Sequence, residues 1–352
     1  ARAVDDGIRP HNLHRRLTCT PRGASVTSDP AAMSPSQACS GQTRPGHARP
    51  GRPRPEQTPT PRSEPDFSTP AALDLSQVTG GDSVLIALDF DGVLAPLQDN
   101  PDLSRMLPES ARAIADLNAL PGTRVALVSG RDVTTLRRLA EPPQGVWLVG
   151  SHGAEVDLGE PSPAASASVS SPDPSSPEVR TSQPEVSDEE QQMLTAIDAH
   201  IDSFEHGLSS ASDAASVTEV RVERKPFSRT VHTRGLDAEF ASSLHAHVVA
   251  VPAAHPGLRV IEGHDITELA VKTATKGDGL RALVAAGSPS TVLYLGDDVT
   301  DEDAFAELEV LDTSLGIKVG PAPTRAPRRI TDPVAVAELL TRIANERAAH
   351  LA

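Results

Sequence analysis

Four short apolar runs, each long enough for one buried strand, constrain the fold of this chain more than any other feature. They are SVLIAL at 83–88, TRVALVSG at 123–130, VWLVGSHG at 146–153 and TVLYLGDD at 291–298. Helical spacing of apolar residues occurs between the first three, at 108–120 and 132–141. Unbroken apolar strands that alternate with helices predict a parallel sheet covered on both faces. The expected fold class is therefore α/β, with a Rossmann-like doubly wound parallel-sheet core.

Each of these strands ends in polar side chains. Asp89 and Asp91 follow the first strand, and the later strands end in Ser129, His152 and Asp297. Because the carboxyl ends of parallel strands lie along one edge of the sheet, we expect these side chains to converge. Clustered carboxylates repel one another unless a cation offsets their charge, and hard oxygen ligands suit Mg²⁺. Taken alone, the tetrapeptide DFDG is equally compatible with the ordinary turn chemistry of Asp and Gly.

Composition separates a basic tail from an acidic body. Residues 1–65 carry ten arginines, no lysine and five acidic residues, which leaves 22 basic against 43 acidic side chains in the rest. We therefore expect neither nucleic acid nor a membrane as a partner, but a small molecule. No apolar run approaches the roughly 18 residues of a membrane helix, and the start of the sequence lacks the apolar region of a secretory signal. A cytoplasmic protein is expected, and the sequence does not predict its oligomeric state.

Low-complexity stretches divide the chain into parts. Residues 1–80 are rich in Pro, Arg, Ser and Thr without a helix or strand period, and are predicted to form a disordered tail. A targeting peptide is the alternative for this basic stretch. The Ser- and Pro-rich stretch 161–185 is predicted to be a linker. Residues 186–265 have the pattern of a small α+β domain, and the stretches 81–160 and 266–352 on either side of it are assigned to the core.

Five motifs follow one another along the body: DFDGVLAP, LVSGR, GSHGAE, TKGDGL and GDDVTDEDAF. In this order they resemble the haloacid dehalogenase superfamily of phosphatases, and within it the trehalose-6-phosphate phosphatase family. The stretch VERKPFSRTVHTR in the inserted domain adds to the resemblance. The family's fold implies that the inserted domain is a cap that closes over the edge of the core sheet and excludes water.

The resemblance implies a role for each carboxylate at the sheet edge. Asp89 would be the nucleophile that takes the phosphoryl group. Asp91 would protonate the leaving oxygen and then activate water. Mg²⁺ would be bound by Asp89, the backbone carbonyl of Asp91 and Asp297, where it offsets the negative charge of the phosphate.

Other residues would support these carboxylates. Ser129 and Lys276 would hold the phosphoryl oxygens, with Lys272 as a competing lysine. Asp298 and Asp301 would support the metal site from outside its ligands. For Asp301 an equal alternative is that it caps the helix predicted at DEDAFAEL.

The same resemblance assigns sugar contacts to the cap. Glu223 and Lys225 are the first candidates for contacts with the hydroxyl groups of the distal sugar. Further candidates for substrate binding are Arg131, His152, Gly153 and Glu268. Without the resemblance, Glu223 and Lys225 read as ordinary exposed charges on a strand.

The expected function is hydrolysis of trehalose 6-phosphate to trehalose and phosphate, through an aspartyl-phosphate and with Mg²⁺. One alternative is a phosphatase of the same superfamily that acts on another sugar phosphate, such as sucrose phosphate. The other alternative is a catalytically silent protein that senses a sugar phosphate. The presence of Asp89, Asp91, Lys276 and Asp297 argues against silence.

Overall fold

An eight-stranded sheet forms the core of the protein in a computed structural model, which describes residues 66–159, 181–182, 184–211, 220–251, 255, 257–263 and 265–352. Numbered along the chain, its strands are β1 (Val84–Asp89), β2 (Thr123–Val128), β3 (Trp147–Gly150), β4 (Glu155–Asp157), β5 (Thr181–Ser182), β10 (Thr291–Gly296), β11 (Ser314–Val319) and β12 (Arg328–Ile330). The spatial order is β12-β11-β10-β1-β2-β3-β4-β5. Neighbours from β12 to β3 are parallel, whereas β4 and β5 pair antiparallel at one edge. The predicted parallel α/β core is confirmed.

Helices cover both faces of this sheet. One face carries α1 (Ser76–Gly80), α2 (Pro108–Ala119), α3 (Val133–Ala140) and α8 (Pro333–Leu351), and the other carries α6 (Lys276–Gly287) and α7 (Asp301–Leu308). Alternate residues of β1 enter the two layers: Ile86 and Leu88 pack on the first face, Leu85 and Ala87 on the second. Because both faces are buried, β1 is apolar at every position before Asp89. No helix in the described ranges has the length and apolar character needed to cross a bilayer.

The inserted cap is a four-stranded antiparallel sheet with two helices on one side. Its strands are β6 (Arg221–Arg224), β7 (Ser228–His232), β8 (Arg259–Gly263) and β9 (Ile266–Ala270), in the order β6-β7-β9-β8. The helices are α4 (Asp188–Ala211) and α5 (Ala238–Val249), whose apolar residues bury Val231 and Leu269 of the sheet. The predicted cap boundary at residue 265 is too early, because β9 lies between β7 and β8 in the cap sheet.

The last part of the predicted tail is folded. Leu73, Leu75 and Val78 are buried in the same apolar layer as α2 and α8. Arg342 of α8 donates a hydrogen bond of 3.0 Å to the carbonyl of Leu73. The tail boundary predicted at residue 80 is therefore wrong, because a few spaced apolar side chains dock this segment on the core. Residues 1–65 and most of the predicted linker lie outside the described residues.

Candidate active site

The chain turns sharply after β1, so that Asp89 and Asp91 both lie at the carboxyl edge of the sheet. Gly92 occupies this turn with a φ of 78°. A Cβ atom on Gly92 would lie 2.0 Å from Asp297 Oδ2. Only a glycine therefore allows the loops after β1 and β10 to approach this closely. The approach brings Asp297 within reach of Asp89, as the sequence predicts.

Asp89 is almost fully buried and has two defined contacts. Its Oδ2 lies 2.9 Å from Lys276 Nζ, and its Oδ1 accepts a 2.7 Å hydrogen bond from the amide of Phe90. Burial, and then the charge of Asp301, raise the pKa of Asp89 well above its usual value, while the charge of Lys276 lowers it. Ionisation of Asp89, which a nucleophile needs, therefore depends on nearby positive charge.

Asp301 connects the lysine to the loop after β10. Its Oδ1 accepts hydrogen bonds from Lys276 Nζ at 2.8 Å and from the Tyr294 hydroxyl at 2.7 Å. Its Oδ2 accepts from the amides of Asp297 and Asp298 at 3.0 and 2.9 Å. Burial raises the pKa of Asp301, but Lys276 and these hydrogen bonds outweigh it, and the pKa is lowered. Since the amides it binds precede α7, Asp301 supports the loop and does not cap the helix.

The two candidate lysines lie in different surroundings. Lys272 Nζ is 2.7 Å from Glu190 Oε2 of the cap helix α4. Lys276 Nζ lies between Asp89 and Asp301; burial lowers its pKa, but these two charges raise it well above its usual value. Lys276 is therefore a buried permanent cation, and it is the lysine of this site.

The acidic residues at the sheet edge form a set that suits a metal ion. One carboxylate oxygen each of Asp89, Asp297 and Asp301 lie within 4.8 Å of one another. Burial, and then the charge of Asp301, raise the pKa of Asp297 to about 7. Three carboxylates around the single ammonium of Lys276 leave an excess of negative charge, and carboxylate oxygens are preferred ligands of Mg²⁺. Each oxygen of Asp301 already accepts two hydrogen bonds, whereas each oxygen of Asp89 has a single donor contact, so Asp89 and Asp297 are the carboxylates with room for a divalent cation.

Asp91 is held by a guanidinium and a hydroxyl. Arg131 binds it through Nε at 2.6 Å from Oδ2 and Nη2 at 2.8 Å from Oδ1, and Ser104 Oγ donates to Oδ1 at 2.9 Å. Ser129 is buried beside them, and its Oγ accepts a 3.2 Å hydrogen bond from the amide of Arg131. Arg131, which the family resemblance makes a candidate for substrate binding, pairs with Asp91 and also lines the cavity. Sequence reasoning missed Ser104, which lies in an irregular segment without a motif.

A buried ion pair joins the cap to the core above these residues. Lys225 Nζ lies 2.9 Å from Glu268 Oε2 and donates to the Gly130 carbonyl of the core at 3.2 Å. Glu268 also accepts a 2.6 Å hydrogen bond from Ser228 Oγ, and His152 Nε2 lies 3.4 Å from its Oε2. Burial raises the pKa of Glu268, but the charges of Lys225 and then His152 hold it well below its usual value. Two residues predicted as separate sugar contacts therefore form one unit.

The core-facing side of the cap sheet is polar. Glu223 is in register with Thr230, and Thr230 with Glu268, so these three side chains share one side of the sheet. His232 lies on the same side, with Nε2 3.6 Å from Glu223 Oε2. Sequence reasoning missed Thr230 and His232, although their alternation with buried Val231 is a signal that assigns both to one face.

The turn after β3 points one of the predicted residues into the cavity and another away from it. Ser151, His152 and Gly153 have φ values of 48°, 55° and 107°. His152 lines the cavity, and burial lowers its pKa, which Glu268 only partly offsets. Gly153 does not line the cavity; a Cβ atom there would lie 2.0 Å from the carbonyl oxygen of Thr275, ahead of α6.

A cavity of about 270 Å³ lies between the carboxylates of the core and the cap sheet. His232 Nε2 in its lining has only the 3.6 Å contact with Glu223 Oε2, and two further buried polar atoms, His152 Nδ1 and Thr230 Oγ1, have no hydrogen-bond partner among the described residues. Each such atom costs about 1–3 kcal/mol unless a ligand or water pairs with it. Lys276 and Ser129 at one end suit a phosphoryl group, and the unpaired atoms at the other end suit hydroxyl groups.

Comparisons with known proteins agree with this arrangement. The model of a family described as Trehalose-phosphatase matches residues 87–334. The trehalose 6-phosphate phosphatase RA3 of Zea mays is 28% identical over 286 residues, which are 77% of this chain and 72% of that protein. The trehalose-phosphate phosphatase of Mycobacterium marinum is 29% identical over 272 residues, 74% of this chain and 61% of that protein. The C-terminal domain of a C. albicans trehalose-6-phosphate phosphatase shares the fold, with a TM-score of 0.59, 20% identity, and coverage of 77% of this chain and 96% of that domain.

Proposed function

The chain belongs to the trehalose-phosphatase family and is a phosphatase, and from this premise we propose that it hydrolyses trehalose 6-phosphate to trehalose and inorganic phosphate. The reaction would pass through a phosphoryl group bound covalently to Asp89, with Mg²⁺ as the metal ion. Relatives named for this substrate support the choice. The observation that carries the mechanism is the buried Asp89, with Lys276 Nζ 2.9 Å from its Oδ2, at the floor of the cavity.

The first half of the reaction transfers the phosphoryl group to the protein. A carboxylate oxygen of Asp89 forms a bond to phosphorus as the bond from phosphorus to the sugar oxygen breaks. Asp91, protonated for this step, gives its proton to the leaving sugar oxygen. Lys276 and Ser129 hold the other phosphoryl oxygens in line for attack.

The second half releases phosphate. A water oxygen attacks phosphorus, Asp91 takes the proton of that water, and the bond from phosphorus to Asp89 breaks. The three donors on Asp91, two from Arg131 and one from Ser104, support this role because they hold its carboxyl group in one orientation.

The acidic residues have complementary tasks in this proposal. Mg²⁺, held by Asp89, Asp297 and the backbone carbonyl of Asp91, would offset the repulsion between carboxylates and phosphate. Asp301 holds Lys276 at 2.8 Å and fixes the amides of the loop that carries Asp297. It therefore positions the lysine and the loop without contacting the substrate.

Sugar recognition belongs to the cap in this proposal. Hydroxyl groups of the disaccharide would pair with the two unpaired atoms of the cavity, on His152 and Thr230, and with His232 Nε2, whose contact with Glu223 Oε2 is 3.6 Å long. Glu223 and Lys225 would contact the distal sugar from the same side of the cap sheet. A closed cap would also keep bulk water away from the phosphoryl group.

Phosphate release from a panel of sugar phosphates, with and without Mg²⁺, tests the proposal. Asp89→Asn keeps the shape of the side chain but removes the nucleophile, so turnover should fall by several orders of magnitude. Asp116→Asn, an exposed carboxylate change on α2, is the matched control and should leave turnover unchanged. Substantial activity in folded Asp89→Asn would refute the mechanism. Faster hydrolysis of another sugar phosphate than of trehalose 6-phosphate would refute the proposed substrate assignment.

A further inference from the structure

The segment of residues 98–104, QDNPDLS, lies between Asp91 and the cap. On the core side, Ser104 Oγ donates to Asp91 Oδ1 at 2.9 Å. Arg131 Nη2, which binds the same carboxylate, also donates to the carbonyl of Pro101 at 3.0 Å and to Ser104 Oγ at 3.2 Å. The orientation of the Asp91 carboxylate is therefore tied to this segment.

Two arginines of the cap hold the other side of the same segment. Arg221 of β6 donates from Nη2 to Asn100 Oδ1 at 3.2 Å and lies 3.4 Å from Asp102 Oδ2. Arg234 donates from Nη1 to the carbonyl of Gln98 at 3.0 Å. The charges are complementary, since the segment is acidic and both cap residues are cations. These contacts exist only while the cap lies against the core.

The contacts on Asp91 are the kind that fix a direction. Two parallel bonds from the guanidinium of Arg131 set the plane of the carboxylate, and the hydroxyl of Ser104 adds a third donor. Ser104 and Arg131 are 1% and 8% exposed, so both donors are shielded from bulk water, while the Asp91 side chain is 29% exposed and faces the cavity. Proton transfer to a leaving oxygen requires a carboxyl group held within hydrogen-bond reach of it.

We infer that the 98–104 segment couples closing of the cap to the orientation of Asp91. Arg221 and Arg234 hold the segment, the segment holds Ser104 and the carbonyl that anchors Arg131, and these two residues orient the Asp91 carboxylate. Ser104 is a positioning residue that acts through Asp91, and Arg221 is one that acts through the segment. The inference rests on the proposed function, because the proton transfer by Asp91 is part of it.

The test uses the leaving group. Asp91 gives its proton to the oxygen that departs as the Asp89 oxygen binds phosphorus, so a poor leaving group needs this proton more than a good one. The quantity to measure is kcat/KM for a series of aryl phosphates, from phenyl phosphate with a poor leaving group to 2,4-dinitrophenyl phosphate with a good one. Ser104→Ala should lose about 10-fold on phenyl phosphate, a part of the 10²–10⁴-fold that acid catalysis supplies, and almost nothing on the dinitrophenyl ester. Ser110→Ala is the control: this buried hydroxyl of α2 has no partner among the described residues and lies outside the cavity lining.

A second variant tests the coupling from the cap side. Arg221→Ala changes a side chain that is 43% exposed, so the protein should still fold. It should show the leaving-group pattern of Ser104→Ala, with a loss of about 3-fold on phenyl phosphate. Arg224→Ala on the same strand is the control, since Arg224 pairs with Asp198 and Asp202 of the cap itself. The loss in the double variant of Ser104 and Arg221 should fall short of the product of the two single losses, because Ser104 is one of the two routes by which Arg221 acts on Asp91.

The outcomes separate this inference from the proposed function. Equal losses across all leaving groups would assign Ser104 a structural role and overturn the inference. Additive losses in the double variant would overturn the coupling as well. A parent protein that is inactive on every phosphate ester would overturn both the proposed function and the inference. If the parent protein is active and its Asp91→Asn variant keeps the same leaving-group dependence, Asp91 is not the acid. That result would overturn the inference.

Discussion

Lys225 and Glu268 form a buried ion pair whose loss should be measurable as stability. Their side chains are 8% and 3% exposed, so solvent screens them little. Glu268→Gln removes the charge that Lys225 Nζ meets at 2.9 Å and leaves the Gly130 carbonyl as its hydrogen-bond acceptor. Removing one partner of a buried pair typically costs about 3–5 kcal/mol. We expect Glu268→Gln and Lys225→Met each to lower the free energy of unfolding by this amount.

The double variant distinguishes a true pair from two unrelated buried residues. Lys225→Met combined with Glu268→Gln leaves no uncompensated charge, so its cost should fall short of the sum of the single costs by about 2–3 kcal/mol. Arg224→Met is a control from the same sheet. Arg224 is half exposed and pairs with Asp198 at 3.2 Å, and an exposed pair contributes about 0–1 kcal/mol.

Urea unfolding at pH 7.5, followed by far-ultraviolet circular dichroism, measures these values. The pKa of Glu268 is well below its usual value, so its contribution is present at neutral pH and is lost as the pH falls through the folded pKa. The pKa of Lys225 is raised: burial lowers it, but Glu268 and Glu223 outweigh burial, and the contribution is lost only at high pH. Additivity of the single costs within about 0.5 kcal/mol would refute the reasoning.

Three further predictions concern the loop after β1, the folded end of the tail and the buried histidine. Gly92→Ala places a Cβ atom 2.0 Å from Asp297 Oδ2, so kcat on an aryl phosphate should fall about 100-fold, the effect of a displacement near 1 Å; unchanged kcat would mean that the two loops move apart freely. A chain that begins at residue 76 lacks two buried leucines, Leu73 and Leu75. Its free energy of unfolding should be about 3–6 kcal/mol lower than that of a chain that begins at residue 66; equal urea midpoints would contradict the docking of this segment on the core. Burial lowers the pKa of His152 in the folded protein, so the folded protein should lose up to about 1.4 kcal/mol per pH unit as the pH falls below about 6.5, relative to His152→Asn; parallel stability curves for the two proteins would show that His152 is not the source.

The sheet edge could be predicted from sequence because each strand carries its own signal. A strand buried on both faces must be apolar throughout, so the run before Asp89 and the run before Asp297 mark their ends directly. Because parallel strands have their carboxyl ends at the same edge of the sheet, these ends can be placed together even when the strand order is not known. The fold class and the grouping of Asp89 with Asp297 follow from these two facts, whereas Lys276, which begins α6, was assigned through the family resemblance.

Contacts that depend on irregular segments could not be predicted in the same way. Ser104 donates a hydrogen bond to Asp91 from a loop, and the sequence of a loop has no periodicity from which its path could be predicted. Tyr294 fits the apolar pattern of β10, so its hydrogen bond to Asp301 could not be predicted either. The end of the cap was misplaced because β9 has the same alternation whether it pairs with the cap or with the core. Leu73 could not be recognised from composition, because it is buried between two exposed residues, Ala72 and Asp74.

The core and the cap differ in how far their polar groups are satisfied, and this difference bears on specificity. Each carboxylate oxygen of Asp301 accepts two hydrogen bonds, so the floor of the cavity is fixed before any ligand enters. The rest of the lining contains the unpaired atoms of His152 and Thr230, at about 1–3 kcal/mol each, and His232 Nε2, which has one long contact of 3.6 Å with Glu223. A ligand with hydroxyl groups removes that cost only when the cap is closed, so it favours the closed state by the same amount. A phosphate ester without hydroxyl groups gives no such gain. In the proposed function, selection among phosphate esters therefore arises in the cap, while the core performs the same chemistry on each of them.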